Sequence, residues 1–521
     1  MKSLKTWGVV VFILAQLLAA NPLHAVERRR HKDKNKTATE TTETPAAIPT
    51  SSTPPVVLTS SDLKVVRPQP GEELMVMEGS TFVIGTVSSD QFTLRCNGKL
   101  CDVFGDGAFI GFVPIKRMTT PVTMDQKVMD AYFEFVAIKD QAKMTNIVYC
   151  VTPASPSGKK AAAAEKLPQP RAMESSEDVW VGMENDVLPD GKSVSNLGKV
   201  VFFPKGSRIE VREKKGDTFL VDPPIENGSL WIPAAGFKET QEPVPAPEMS
   251  TEYSSNKEPR STAYTFNMPT PMPMVFEETS DRLTLKLKIL SNPPRAFVFP
   301  QPSPIWGFNV SHQDGAAGKT IVTVEFAPAI NKEKPFQGLR IVLDPGHHPD
   351  PGALGPRGTE ERTLTLLLAR QLAEILKAQG AEVILSREEQ PLELAQRPAK
   401  FKAANPNLVI SLHFNSVADE EDPRSRWGTQ NIYLYPHSKP LAKSIHRYLT
   451  PTVRGHDLSV VQRNLVIARY PTVPVVLVES THIIMPEEEK KLLTPEYREE
   501  LAKAIADGIS NFLLGEVGTK R

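Results

Sequence analysis

The chain has 521 residues, which is too long for a single hydrophobic core and predicts several domains. Its 61 Lys and Arg residues balance its 61 Asp and Glu residues, and this neutral charge argues against nucleic acid as the main partner. No segment is long and apolar enough to cross a bilayer, so we expect no membrane span.

The N-terminus has the pattern of an export signal. Lys2 and Lys5 precede an apolar run from Gly8 to Ala20, and the segment ends on the small residue Ala25. The run is too short to serve as a membrane anchor, because a bilayer core needs about 20 apolar residues. We therefore predict a signal peptide at residues 1–25.

Two segments of different composition follow the signal. Residues 26–70 are first basic and then rich in Thr, Ser and Pro, which predicts a disordered linker. Residues 71–155 show short alternating stretches separated by Gly and Asn, which predicts a β-sandwich. In this segment, Leu94-Arg-Cys-Asn-Gly-Lys followed by Asp106-Gly-Ala-Phe-Ile resembles bacterial immunoglobulin-like modules. Within it, Cys96 and Cys101 flank the hairpin-turn signal Asn97-Gly98, and a disulfide between them is left open.

The middle of the chain reads as further β structure. Residues 156–176 are predicted to be a linker, and residues 177–240 are predicted to form a β domain. Its order of Phe202-Phe-Pro-Lys-Gly-Ser-Arg-Ile-Glu-Val, Gly216-Asp-Thr-Phe-Leu-Val and Leu230-Trp-Ile-Pro resembles bacterial SH3-like modules. Trp231 in this domain is interpreted as a core or edge aromatic. Residues 241–260 are a Pro-rich linker, and residues 261–336 form a small β region of no assigned fold. None of these segments carries a catalytic cluster.

Residues 337–516 alternate between apolar strands and helices with Leu at helical spacing. This order predicts an α/β domain with a mostly parallel sheet flanked by helices. Ligands of such sheets bind beyond the carboxyl ends of the strands. The predicted strands are 339–343, 381–385, 408–412 and 473–478, and the predicted helices are 364–378, 392–404 and 495–514.

Four polar residues fall at one edge of this predicted sheet. His347, His413 and Glu479 each follow a strand, and Glu361 begins the first helix. Two histidines and a glutamate that leave a fourth position for water form the geometry of a catalytic zinc site. The remaining glutamate is then available as a general base.

Three groups of motifs carry a family resemblance. Asp344-Pro-Gly-His347 is followed by Gly352-Ala-Leu-Gly and Gly358-Thr-Glu-Glu361-Arg, and these open the domain. Ser411-Leu-His413-Phe-Asn415 forms the second group, and Val476-Leu-Val-Glu479-Ser forms the third. Together they resemble the zinc-dependent N-acetylmuramoyl-L-alanine amidases of the AmiC type, over about the last third of the chain.

The resemblance implies a role for each site residue. Its zinc ligands fall on His347, Glu361 and His413, and its catalytic glutamate falls on Glu479. Glu360 is the neighbouring alternative to Glu361, which is preferred because a basic residue follows it as in the family. The implied cofactor is one zinc ion in the catalytic domain.

The resemblance also implies a substrate and a location. The enzyme would cleave the amide between N-acetylmuramic acid and L-alanine of the peptidoglycan stem peptide, with Asn415 as a hydrogen-bonding residue for the substrate. An activator or another wall-associated protein is a candidate partner of the β modules. The periplasm is the expected location, with the extracellular space as the alternative. A zinc peptidase acting within the stem peptide and a non-catalytic wall-binding scaffold remain the rival interpretations.

The sequence departs from the family pattern at two places. His348-Pro349 follows the first histidine where the family has two glycines, so His348 is a competing ligand. Ser480-Thr481-His482 replaces the usual residues after the catalytic glutamate, and His482 is the best candidate for a supporting residue. The interval between His413 and Glu479 shows no obvious extra helix, so no inhibitory helix is expected there.

Overall fold

The computed structural model describes residues 59–517, apart from gaps at 77, 154–164, 183–185, 188–192, 195–198, 222–229, 245–251, 269, 292–293 and 314–317. The predicted signal peptide at 1–25 and most of the predicted linker at 26–70 lie outside the described residues. Across the described part of the chain, no helix combines the length and apolar character needed to cross a bilayer.

The first unit, residues 59–153, is built from two antiparallel sheets. One sheet has the order β1-β2-β6-β5 and the other β4-β3-β8-β7, with β9 paired to β8. The nine strands are β1 Leu63–Arg67, β2 Ser80–Val87, β3 Thr93–Cys96, β4 Lys99–Leu100, β5 Asp102–Val103, β6 Ala108–Pro114, β7 Lys116–Met124, β8 Lys127–Lys139 and β9 Ala142–Cys150. Strand β1 lies inside the segment predicted as a disordered linker at 26–70. This segment is ordered because Leu63 is buried in the core of the first unit and Val66 is buried against the last unit of the chain.

The core of this first unit holds the three cysteines of the chain. Cys96, Cys101 and Cys150 are all buried and all free. They pack among Phe109, Phe133 and other apolar side chains of the two sheets. The disulfide that the sequence left open is therefore not formed, and the cysteines act here as small apolar residues.

The second unit, residues 165–326, contains three larger antiparallel sheets. Their orders are β17-β16-β15-β10-β18, β11-β14-β21-β22-β23 and β19-β20-β25-β24, and β12 pairs with β13 in a separate ribbon. The strands are β10 Glu165–Ser175, β11 Val179–Gly182, β12 Asp186–Val187, β13 Ser193–Val194, β14 Lys199–Phe203, β15 Arg208–Lys215, β16 Thr218–Val221, β17 Leu230–Pro233, β18 Phe237–Glu239, β19 Ser254–Glu258, β20 Ser261–Asn267, β21 Met274–Glu278, β22 Thr284–Ile289, β23 Arg295–Pro300, β24 Ile305–Gln313 and β25 Lys319–Phe326.

One sheet of the second unit joins the two predicted β regions. Strands β14 and β21 pair antiparallel, with Val200 opposite Phe276. Strand β19 lies within the segment predicted as a linker at 241–260. Trp231 stands on the edge strand β17 with about a third of its surface exposed, as expected for an edge aromatic.

The last unit contains a six-stranded sheet of order β27-β26-β28-β31-β29-β30. All its neighbouring strands are parallel except β29 and β31, which are antiparallel. The strands are β26 Arg340–Pro345, β27 Glu382–Leu385, β28 Leu408–Asn415, β29 Gly428–Tyr433, β30 His456–Gln462 and β31 Val475–His482. The helices are α1 Glu361–Ala378, α2 Arg397–Ala404, α3 Lys439–Val453, α4 Pro486–Leu492 and α5 Pro495–Val517.

The apolar pattern of this domain explains its layers. Every residue of β31 is buried, which is typical of a central parallel strand covered on both faces. Helix α1 buries Leu364, Leu368, Leu372 and Leu376, which recur every four residues along one face. These leucines share one core with β26, β28 and α5.

Helix α3 occupies the interval between His413 and Glu479, in which the sequence showed no obvious extra helix. The helix is part of the domain core rather than a cover for the site. Its Ser444 hydroxyl donates to the Gly508 carbonyl of α5 at 2.7 Å, and its Ala442 carbonyl accepts from the Asn431 amide of β29 at 3.0 Å.

Candidate metal centre

The four predicted site residues come together at the carboxyl edge of the sheet. His347 follows β26, Glu361 is the first residue of α1, and His413 and Glu479 lie opposite each other on β28 and β31. One donor atom from each of His347, Glu361 and His413 lies within 4.8 Å of the other two. Glu361 stands between the histidines, with Oε2 2.9 Å from His347 Nε2 and Oε1 2.9 Å from His413 Nδ1.

Hydrogen bonds fix the orientation of these donors. The Asp350 carboxylate lies 2.6 Å from His347 Nδ1, which leaves Nε2 of that ring facing Glu361. The Glu361 carboxylate accepts from the backbone amides of Phe414 at 3.0 Å and Ala353 at 2.8 Å. A carboxylate that orients a ligand histidine, as Asp350 orients His347, is a common feature of protein metal sites.

Two glycines allow the backbone to approach the donors closely. A Cβ atom at Gly346 would lie 2.6 Å from His413 Nδ1. A Cβ atom at Gly352 would lie 2.6 Å from Glu361 Oε2, and its φ of +70° also favours glycine. These close contacts explain why positions 346 and 352 are glycines.

The three donor residues shift one another's pKa values. Burial alone would lower the pKa of His347, but the Glu361 and Asp350 carboxylates outweigh it and raise that pKa to about 10. Burial and the neighbouring His347 lower the pKa of His413 despite Glu361. The pKa of Glu361 lies below its usual range, because both histidines overcome its burial. Two histidines and a carboxylate whose donor atoms lie this close together form a donor set that fits a divalent cation.

Glu479 has a different environment from Glu361. Its side chain is buried, and its Oε2 atom has no hydrogen-bond partner among the described residues. Burial, followed by repulsion from Glu361, raises its pKa well above the usual range. A buried carboxyl oxygen without a partner beside a donor cluster suits a group that exchanges a proton with a bound water.

The competing residues point elsewhere. Glu360 is paired with Arg362 at 2.6 Å and is not part of the donor cluster. His348 Nε2 lies 2.9 Å from the Glu389 carbonyl. His482 Nδ1 lies near the backbone of Gly428 at 3.1 to 3.2 Å, which fixes the end of β31. Within the described residues, the only donor cluster of this kind is the one that contains Glu361.

Asn415 lies at the end of β28, two residues beyond His413. Its Oδ1 atom accepts from the backbone amide of Ser416 at 2.8 Å, and its side chain is partly exposed. Its position places it at the rim of the site.

Buried arginines support the loop that carries His347. Arg397 pairs with the fully buried Asp344 at 2.6 Å and also donates to the Pro345 carbonyl at 2.8 Å. Arg387 donates to the carbonyls of Pro345 at 3.0 Å and Gly346 at 2.7 Å. The sequence did not single out Asp350 or these carbonyl contacts, because they depend on how the loop folds.

This arrangement defines a hydrolytic α/β domain with a candidate metal centre. A family profile described as N-acetylmuramoyl-L-alanine amidase matches residues 341–511. The C-terminal domain therefore belongs to the N-acetylmuramoyl-L-alanine amidases, peptidoglycan hydrolases that are zinc-dependent as a family.

Curated relatives match the same third of the chain, and the first of them, YqiI, is described as an uncharacterized protein. YqiI of Bacillus subtilis is 29% identical and covers 37% of this chain and 93% of that protein. The amidase LytC of Bacillus subtilis is 30% identical over 34% of this chain and 36% of its own length. The amidase AmiC of Neisseria meningitidis is 27% identical over 33% of this chain and 52% of its own length. The chain thus spans only about a third to a half of LytC and AmiC.

Solved structures also match this region. The catalytic domain of the amidase CwlV from Bacillus (Paenibacillus) polymyxa is 32% identical, covering 34% of this chain and 98% of that one with a TM-score of 0.32. The amidase AmiC2 of Nostoc punctiforme is 27% identical, covering 36% of this chain and 99% of that one with a TM-score of 0.32.

Proposed function

We propose that this chain is an exported zinc amidase that cleaves the bond between N-acetylmuramic acid and L-alanine of the stem peptide. His347, Glu361 and His413 hold the zinc, and Glu479 acts as the general base. The observation that carries the proposal is the convergence of these four groups from β26, α1, β28 and β31 at one sheet edge. Their chemistry matches a catalytic zinc site, which keeps one position open for water.

The protein would supply the proton transfers of the reaction. Zinc held by His347, Glu361 and His413 would polarise the amide carbonyl and lower the pKa of a water towards ~7. Glu479 would take a proton from the attacking water as the oxygen adds to the carbonyl carbon, and the C–N bond would then break. The same carboxyl group returns the proton to the leaving L-alanine amine. Its unpaired Oε2 atom is the site that would carry the proton.

Asn415 is proposed to bind the substrate at the rim. Its Oδ1 atom is engaged by the Ser416 amide, which would leave its NH2 group to donate to a carbonyl of the stem peptide. This contact would place the scissile amide beside the donors without taking part in the chemistry.

The remaining assignments concern the rest of the chain. We propose that residues 1–25 direct export to the periplasm, with the extracellular space as the alternative. The first unit is proposed to be immunoglobulin-like because it pairs two antiparallel sheets across one core. Residues 177–240 are proposed to be SH3-like. An activator or another wall-associated protein is the proposed partner of these β units.

Product analysis tests the reaction directly. Purified peptidoglycan is digested with the mature chain and with the His413→Ala variant, and the products are identified by mass spectrometry. The proposal predicts stem peptides with a free L-alanine amine and intact muramic acid, released only by the unchanged chain. Cleavage within the stem peptide would instead indicate a peptidase. Binding without any cleavage would indicate a scaffold.

A further inference from the structure

The first β unit docks on the amidase domain through a sheet face with a buried apolar cluster. Strand β2 has buried residues on both sides, so one face covers the core of the unit and the other covers a neighbour. The second face presents four apolar side chains: Val66, Phe82, Ile84 and Ile110. They pack against three residues of the amidase domain: Leu354, Val417 and Met485.

These three contact residues share a position in the fold. Leu354 follows β26, Val417 follows β28 and Met485 follows β31. Each therefore belongs to a segment that leaves a strand of the candidate metal centre. The first β unit thus rests on the loops of the site rather than on a distant surface.

Three ion pairs cross the seam between the first β unit and the amidase domain. Arg67 pairs with the buried Asp419, whose carboxylate also accepts from the Met75 amide at 2.9 Å. Asp102 pairs with Arg424 at 2.8 Å. The third pair joins Asp106 to Arg357, with Arg357 Nε 3.1 Å from Asp106 Oδ2. Exposed ion pairs contribute little to stability by themselves, so the importance of these pairs depends on which segments they position.

Arg357 lies at the tip of the loop that carries Glu361. The loop is closed at its base, where the Glu361 amide donates to the Ala353 carbonyl at 3.0 Å. The Ala353 amide in turn donates to the Glu361 carboxylate at 2.8 Å. Nearer the tip, the Gly355 amide donates to the Thr359 carbonyl at 2.9 Å. The conformation of the tip is therefore coupled to the position of the Glu361 carboxylate.

The tip is held from two sides. Glu489 of α4 is fully buried and accepts from the backbone amides of Arg357 at 3.0 Å and Thr359 at 3.3 Å. It also accepts from Arg357 Nη1 at 2.8 Å. The guanidinium of Arg357 meets Asp106 through Nε and Nη2. One arginine thus bridges a buried carboxylate of the amidase domain and a carboxylate of the first β unit.

We propose that Arg357 is a positioning residue for the metal ligand Glu361, and that Asp106 of the first β unit sets its position. The first β unit is then a structural part of the amidase site and not a mobile appendage. This inference rests on the proposed function, because the proposed function makes Glu361 a zinc ligand. Loss of the Asp106 carboxylate frees one edge of the guanidinium, relaxes the loop tip and displaces Glu361.

A matched pair of variants in the full mature chain tests this role. Asp106→Asn breaks the pair with Arg357, whereas Asp102→Asn breaks the pair with Arg424 at the same seam and leaves Arg424 its partner Asp422. Zinc affinity is measured by competition with a chelator, and the cobalt-substituted proteins are compared by their absorption spectra. Rates on a soluble muropeptide give kcat and KM.

We expect Asp106→Asn to weaken zinc binding about tenfold, the lower end of the effect of outer groups at metal sites. It should alter the cobalt spectrum and lower kcat with little change in KM, whereas Asp102→Asn should match the unchanged chain. Arg357→Ala should have at least the effect of Asp106→Asn. Arg357→Lys should recover only part of it, because one ammonium group cannot replace the guanidinium fork.

Equal zinc affinity and equal cobalt spectra for Asp106→Asn and Asp102→Asn would overturn the proposal. A rise in activity of Asp106→Asn would overturn it as well, because the first β unit would then be inhibitory. If the unchanged chain binds zinc but leaves the muropeptide intact, the proposed function fails, while the zinc affinities still decide the role of Asp106.

Discussion

His347 and Asp350 are joined through Nδ1 of the imidazole and Oδ1 of the carboxylate at 2.6 Å, within a single loop after β26. The contact fixes which nitrogen of the ring faces Glu361. Asp350 Oδ1 also accepts from the Gly352 amide at 3.0 Å, so the carboxylate holds the loop as well as the ring. A metal ligand in this centre therefore depends on a residue that does not itself belong to the donor cluster.

Asp350→Ala is predicted to weaken zinc binding roughly 10- to 100-fold, because the His347 ring loses the group that orients it. Chelator competition at neutral pH measures the loss. Glu360→Ala is the matched control, since its carboxylate pairs with Arg362 beside the site and should leave zinc affinity unchanged. Equal affinities for the two variants would contradict the assigned role of Asp350.

Gly346→Ala is predicted to remove zinc binding and activity together. The new Cβ atom would lie 2.6 Å from His413 Nδ1, so the ring must move away from Glu361. Gly515→Ala near the end of α5 is the control, because no atom lies within 4 Å of its added Cβ. Zinc content after gel filtration is the measurement, and a Gly346→Ala protein with full zinc would show that the ring is not held there.

Arg397→Ala is predicted to destabilise the amidase domain by roughly 3–5 kcal/mol, because it leaves the Asp344 carboxylate buried without its charged partner. Asp344 is 0% exposed and Arg397 is 3% exposed. Arg370→Ala removes exposed pairs with Glu388 and Glu389, and should cost less than about 1 kcal/mol. Urea unfolding of the two variants compares the losses, and similar values would argue against a structural role for Arg397.

The cysteines are predicted to be unreactive in the folded chain. Burial raises the pKa of Cys101 and Cys150 to about 12, and raises that of Cys96 as well. Their thiols therefore stay protonated at pH 8, where only a thiolate reacts rapidly. Thiol titration should detect no fast-reacting group before unfolding and all three afterwards without a reductant. A missing pair after unfolding would mean that Cys96 and Cys101 form a disulfide.

Much of the site could be predicted because it depends on local patterns. The apolar runs of β26, β28 and β31 mark the strands, and the polar residues that end them must meet at one edge of a parallel sheet. The sequence also indicated the first helix and placed Glu361 at its start, where the helix begins.

Other features depend on contacts between distant residues and left no local signal. Helix α3 has prolines at 440 and 451, which suggest breaks. Pro440 lies in the first turn, where a helix tolerates proline, and Pro451 lies inside the helix near its C-terminal end. The pairing of β14 with β21 joins segments separated by a Pro-rich stretch. The contacts of Asp350 with His347, and of Asp106 with Arg357, form only when loops and domains are in place.

The most direct test of the account compares Glu479→Ala with His413→Ala for bound zinc and for release of stem peptides from peptidoglycan. Glu479→Ala should keep stoichiometric zinc and a normal fold while hydrolysis falls at least about 10²- to 10⁴-fold, because the proton transfers are lost. His413→Ala should lose both zinc and hydrolysis. A Glu479→Ala protein with full activity, or a His413→Ala protein that retains zinc and cleaves normally, would contradict the assignment of the site.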